Sequence, residues 1–182
     1  WDNMALVYNN GKTTAAQNAA VNKLMRNCTT AARAQLGPTE TGASNPYHTF
    51  KKYFGYGSGV RTIYSTDVVS DVWKELIYHE LDEGRPIYCE GVDLSKENGH
   101  AFVVDGYDEN GLLSVNWGWN GTSNGFYNMI FSHPGAGLYS LGEIVIGISP
   151  VDIQTEFDDE EVVLTTGAVE ASTNTFYTYG AN

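Results

Sequence analysis

Two hydrophobic periods divide the chain. From Thr13 to about Cys28 apolar residues recur near helical spacing (Ala15, Ala16, Ala19, Ala20, Val21, Leu24, Met25), with Thr13 or Thr14 able to cap the start. Gly37 to Asn45 (GPTETGASN) reads as a loop, because Gly, Pro, Ser, Thr and Asn favour turns over regular ladders. A short helix follows over roughly Pro46 to Phe54, its proline in the first turn, where a missing N–H costs nothing. The spacing predicts a third helix from about Ser70 to Glu83. Its stripe is Val72, Trp73, Leu76, Ile77 and Leu81, and Gly84 ends it. Beyond it the pattern turns strand-like: Pro86–Val92, His100–Tyr107, Leu112–Trp117, Gly125–Phe131 and Glu143–Ser149. Asn-Gly pairs at 98, 110, 120 and 124 punctuate the connections, since both residues tolerate positive φ. Helices first and strands afterwards argue for an α+β fold with a mainly antiparallel sheet and packed helices.

Composition narrows the function classes. The chain has 182 residues, enough for one full core and a short appendage. Ten Lys+Arg stand against 22 Asp+Glu, a net charge of -12, and no cationic run exceeds Lys51-Lys52. Nucleic acid and anionic membrane surfaces are therefore excluded as partners, since both demand clustered cations. After Pro150 an acidic stretch, Gln154 to Glu161, leads into a polar, β-prone tail. The expected plan is one domain over 1–150, then a linker and the start of a following β-type domain over 151–182. Trp1 is not an initiator Met, so both ends read as cut from a longer polypeptide. Cys28 and Cys89 allow one disulfide at most. The four histidines form no H-x-E or H-x₃-H pattern and there is no Cys-x-x-Cys, so neither a metal nor another cofactor is expected. His48 and His79 read as surface residues and His133 as part of a loop.

The candidate chemistry lies in GHAFVVDGYDENGLLSVNWGWNG, where His100 opens one strand and Asn116-Trp117 closes the next. A histidine oriented by a carboxamide is the base of a thiol nucleophile in one convergent form of the catalytic triad. The hairpin must satisfy a parity condition. A turn centred on Asp108 sets His100 opposite Asn116 on one face. A tight Asn110-Gly111 turn sends the two to opposite faces. The pairing therefore needs an odd-membered loop around Gly106–Asn110, or a bulge. Cys89, mid-strand and apolar in context, reads as a small hydrophobe, though it is the one cysteine the sheet could bring towards His100. Cys28 falls at the end of its helix, where carbonyl dipoles work against a thiolate.

WDNM at Trp1–Met4, VNKLM at Val21–Met25, GPTETGAS at Gly37–Ser44, FKKYFGY at Phe50–Tyr56, GRPIYCEGV at Gly84–Val92, GHAFVVDGY at Gly99–Tyr107, VNWGWNGTSNGFY at Val115–Tyr127 and VIGISP at Val145–Pro150 follow one another in order. In this text the chain resembles the streptopain family of bacterial papain-like cysteine peptidases over about residues 1–150. The resemblance implies a papain-like fold that is N-terminally incomplete, with His100 as catalytic base, Asn116 as its orienting partner and Trp117 as the indole covering their bond. It implies a substrate groove at Gly99 and at Thr41, Gly42, Ala43 and Ser44, and a polypeptide substrate in an extracellular setting. The nucleophilic cysteine and the oxyanion-hole glutamine of the family lie upstream of WDNM, so the isolated chain is expected to be inert. Its missing N-terminal segment or a propeptide would be a further partner. The competing readings are a pseudopeptidase that binds peptides or proteins, and an enzyme in which Cys89 has become the nucleophile.

Overall fold

The computed structural model describes residues 2–8, 11–37, 41–43, 46–93, 98–128, 130–133 and 137–149. They fall into two compact units, divided between Phe54 and Gly55. The expected appendage over 151–182 and groove residue Ser44 lie outside the described residues.

The first unit contains α1 (Ala15–Ala31), β1 (Gln35–Leu36), β2 (Thr41–Gly42) and α2 (Pro46–Tyr53). Thr14 is the N-cap of α1. Its hydroxyl accepts from the Gln17 N–H while the Gln17 side chain reaches back to the Thr14 N–H, so two orphan donors are satisfied reciprocally. The alanine-rich stripe buries no residue, and Met25 is exposed. The two-residue pair β1–β2 crosses a stretch that reads as pure loop. Pro46 and Thr49 are the buried positions of α2, and the Thr49 hydroxyl donates to the Ala31 carbonyl at the end of α1 (3.2 Å).

The second unit is a sheet with one helix on it. Its elements are β3 (Arg61–Tyr64), α3 (Ser70–Asp82), β4 (Ile87–Asp93), β5 (Asn98–Tyr107), β6 (Leu113–Asn116), β7 (Gly125–Tyr127), β8 (Ile130–His133) and β9 (Gly137–Ile146). The strands run antiparallel in the order β3-β9-β4-β5-β6-β7, with β8 paired to β9. In α3 the residues facing the sheet are Trp73, Leu76, Ile77 and Glu80, spaced as i, i+3, i+4 and i+7. They cover Ile87, Cys89, Phe102, Val104, Leu113, Val115 and Trp117, nearly all fully buried.

Glu80 is a carboxylate in an otherwise apolar stripe, and its partners explain its position. Arg85 grips it through Nε to Oε2 (2.9 Å) and Nη2 to Oε1 (3.1 Å), and the Gly147 N–H donates to Oε2 at 2.9 Å. The charge thus ties α3 to the chain just after β9. Burial pushes the Arg61 guanidinium down from its ordinary value, and the charge of Glu80 opposes that fall.

Two expected strands change and one strand, β3, was not expected. The last strand ends at Ile146, not Ser149, because Gly147 takes φ +68, a left-handed turn that stops a ladder. The expected strand Gly125–Phe131 is two strands, β7 and β8. β3, an edge strand opening with Arg-Thr, has no apolar run to announce it. His133, expected in a loop, closes β8.

Candidate active site

The hairpin of β5 and β6 decides which side chains meet. Tyr107 pairs with Leu113, and the Asp108 N–H donates to the Leu112 carbonyl (2.9 Å), leaving a three-residue loop of Glu109, Asn110 and Gly111. Asp108 shapes that loop by accepting from the N–H groups of Asn110 (2.9 Å) and Leu112 (2.8 Å). These bonds, the one from Leu112 first, hold its carboxyl below the ordinary carboxylate range. An odd loop by itself would set His100 and Asn116 on one face. A bulge between Val104 and Gly106 then shifts the register by one residue, and Val103 pairs with Asn116.

The two parity changes cancel. His100 lies with buried Phe102 and Val104 on the α3 face, while Asn116 lies with exposed Val103 on the other. The expected bond between the His100 ring and the Asn116 carboxamide is therefore not formed. Instead His100 Nε2 lies 2.9 Å from the backbone carbonyl of Trp117. A carbonyl only accepts, so this contact places a hydrogen on Nε2, and in the neutral ring the lone pair is then on Nδ1.

Aromatic rings fix the imidazole plane. Trp119 tilts against it at a centroid distance of 4.5 Å, and Trp117 stacks at 6.0 Å with an interplanar angle of 27°. Trp117 is fully buried. Phe102 lies 4.9 Å from it, Trp119 stacks on it at 5.6 Å, and Tyr127 meets it edge-on at 5.5 Å. The expected covering indole is thus beside the ring, with its backbone as well as its side chain in contact. Strand alternation could not have pointed to Trp119, because β6 ends at Asn116 and Gly118 takes φ +74 between the two indoles. The carbonyl had no signal, since every residue carries one.

The other expected site residues are divided between the two units. Gly99 is exposed beside His100, and among the described residues an added Cβ there would meet only the Gly91 carbonyl at 3.8 Å, an ordinary contact. None of the described residues requires a glycine at that position. Thr41 and Gly42 form β2 of the first unit, and Ala43 follows, all exposed. That unit also holds a cleft of about 830 Å³ between α1 and α2, lined by Asn22, Lys23, Arg26 and Tyr53 among others, with no nucleophile and base paired in it.

Neither cysteine lies open beside a base within its own unit. Cys89 is fully buried opposite Phe102, its thiol 3.7 Å from the Ile87 carbonyl, and burial pushes that thiol far above its ordinary value. Cys28 is half-buried in the last turn of α1. Among the described residues no helix is long and apolar enough to cross a membrane.

Known proteins are similar to this chain in sequence and in fold. The Peptidase C10 family matches residues 1–127. Streptopain of Streptococcus pyogenes is 32% identical over an alignment of 160 residues that covers 82% of this chain and 39% of that protein. The thiol protease/hemagglutinin PrtT of Porphyromonas gingivalis is 35% identical over 141 residues, 72% of this chain and 16% of that protein. Among solved structures, the active wild-type interpain A cysteine protease of Prevotella intermedia superposes with a TM-score of 0.73 at 34% identity, over 81% of this chain and 63% of that one. The chain therefore spans well under half the length of streptopain and somewhat under two thirds of interpain A. On the family match over most of its length and the shared fold, this papain-like α+β chain belongs to the Peptidase C10 family.

Proposed function

We propose that the chain is the histidine-bearing part of a secreted cysteine peptidase that cleaves polypeptides. The observation that carries this reading is the 2.9 Å contact between His100 Nε2 and the Trp117 carbonyl. It leaves the lone pair of Nδ1 as the base. Nδ1 takes the thiol proton of the nucleophile, and the carbonyl bond to Nε2–H strengthens as the imidazolium forms. The thiolate attacks the scissile carbonyl, the amine departs with the proton from Nδ1, and water hydrolyses the thioester with His100 again as base. The aromatic wall of Trp117, Trp119 and Phe102 supports the same reading, because a low-dielectric flank strengthens the bond that orients the ring.

The nucleophile is neither Cys28 nor Cys89, so the 182-residue chain is inert alone and depends on a cysteine elsewhere in the complete polypeptide. The groove residues carried over by resemblance are Gly99 and the stretch from Thr41 to Ser44. Gly99, exposed and not sterically required, fits a position kept bare so that a peptide can approach.

The test is thiol-dependent hydrolysis of a fluorogenic casein by the complete polypeptide. His100→Ala should abolish it, whereas Cys28→Ala and Cys89→Ala should retain it. Full activity in the His100→Ala protein, or loss of activity with an intact fold in Cys89→Ala, would overturn the assignment.

A further inference from the structure

The bond that orients His100 ends on a peptide group, and that peptide group is itself held. The unit joining Trp117 to Gly118 has its carbonyl on His100 Nε2 and its N–H on the Asn116 side chain, whose Oδ1 accepts from Gly118 N at 3.0 Å. The preceding peptide is pinned as well, because the Trp117 N–H donates to Asn124 Oδ1 at 3.0 Å. Asn124 arrives from the far end of a tight loop. Gly118 (φ +74), Asn120 (φ +54), Gly121 (φ +83) and Ser123 (φ +61) all take left-handed backbone there, and the Tyr127 hydroxyl clamps the Ser123 carbonyl at 2.6 Å.

We propose that Asn116 and Asn124 are positioning residues for the base, acting on His100 through the Trp117 backbone without touching the ring. The proposal rests on the reading of His100 as the base and deepens it. An amide whose N–H is engaged polarises its own carbonyl, so Asn116 makes the Trp117 oxygen a better acceptor for Nε2–H. Asn124 fixes the rotation of the same segment about the strand end, which aims that oxygen at the ring. The carboxamide of Asn116 thus reaches the imidazole by a relay through one peptide group, although it projects from the opposite face of the hairpin. Both asparagines are exposed, so neither is required to fill the core.

The experiment uses the complete polypeptide and two readouts. The first is the ¹⁵N spectrum of the His100 ring under alkaline conditions, where imidazole is neutral, which reports the tautomer without any catalysis. The Nε2–H form should dominate in the wild type and give way to a mixture in Asn116→Ala and Asn124→Ala. Asn116→Asp and Asn124→Asp, which keep an acceptor oxygen, should restore it. The second readout is peptide hydrolysis, with kcat lower by about threefold to tenfold in each alanine variant and KM unchanged, the size expected for one net hydrogen bond. The double alanine variant should lose less than the product of the single losses, because both side chains act on one segment.

A merely structural role would lower thermal stability and leave the tautomer untouched, and that result would overturn the relay. Wild-type tautomer and kcat in both alanine variants would overturn it too. A tautomer that responds in a protein with no thiol-dependent hydrolysis would leave the relay standing and remove the peptidase reading instead.

Discussion

Glu80 offers the sharpest test of what holds the second unit together. Its side chain is 4% exposed and takes three hydrogen bonds, two from Arg85 and one from the Gly147 backbone. Replacing it by alanine strands a buried N–H at Gly147 and removes the anion that faces Arg85 and opposes the fall of the Arg61 guanidinium. Breaking a buried pair by deleting one partner costs about 3–5 kcal/mol. Arg85 is 14% exposed and keeps Glu83 at 3.6 Å, so part of its charge is recovered by water and a second carboxylate. The expected loss for Glu80→Ala is therefore near the lower end, about 3 kcal/mol, a large fraction of the ~5–15 kcal/mol that stabilises a typical domain. Glu80→Gln keeps one acceptor oxygen but puts an amide against the guanidinium, and should lose about 1.5–3 kcal/mol.

Urea unfolding followed by tryptophan fluorescence is the assay, since Trp73, Trp117 and Trp119 all lie in this unit. With a slope of about 1–3 kcal/mol/M, a loss of 3 kcal/mol moves the midpoint down by ~1–3 M at unchanged slope. A Glu80→Ala midpoint within about 0.3 M of wild type would show that the buried carboxylate ties nothing down, and the reasoning would fail.

Three further outcomes are expected. Gly147→Ala should unfold the second unit or depress its melting temperature sharply, because a Cβ there would fall 2.1 Å from the Gly59 carbonyl on a backbone at φ +68; a melting temperature near wild type refutes the close approach. Cys89 should resist iodoacetamide in the native chain at pH 8 and react only on unfolding, since its buried thiol stays protonated, whereas rapid native labelling would revive it as a nucleophile. Burial first, then its hydrogen bond to Glu90 (2.8 Å), raises the Tyr88 phenol far above its ordinary value. A raised acid contributes stability that is complete below the unfolded value of about 10 and is lost as pH climbs beyond it. The fall in urea midpoint between pH 9 and 11 should therefore shrink in Tyr88→Phe, and an identical fall in both proteins would rule out this source.

The legible parts of the chain were those governed by short-range rules. The N-cap at Thr14 and the apolar stripe of α3 each depend on residues three or four apart, and the three expected helices lie within a few residues of their observed bounds, whereas Asn98-Gly99, expected in a connection, opens β5. The resemblance carried by GHAFVVDGY and VNWGWNG was equally local, and it led to the family. Sequence patterning was weak where a strand lacked apolar residues, as in β3, or where one glycine set the end, as at Gly147. Glu80 was invisible as a core residue because its burial depends on Arg85 and on a backbone N–H sixty-seven residues away.

The amino acids by themselves determined that a histidine and an asparagine would flank one hairpin, with indoles beside them. Only the tertiary structure decided which of them meet. A three-residue loop and a bulge each shift strand pairing by one position, and in a sheet one position exchanges the two faces. Together they turn Asn116 outward and hand the imidazole to a backbone carbonyl, a group that every residue carries and that only the register can aim.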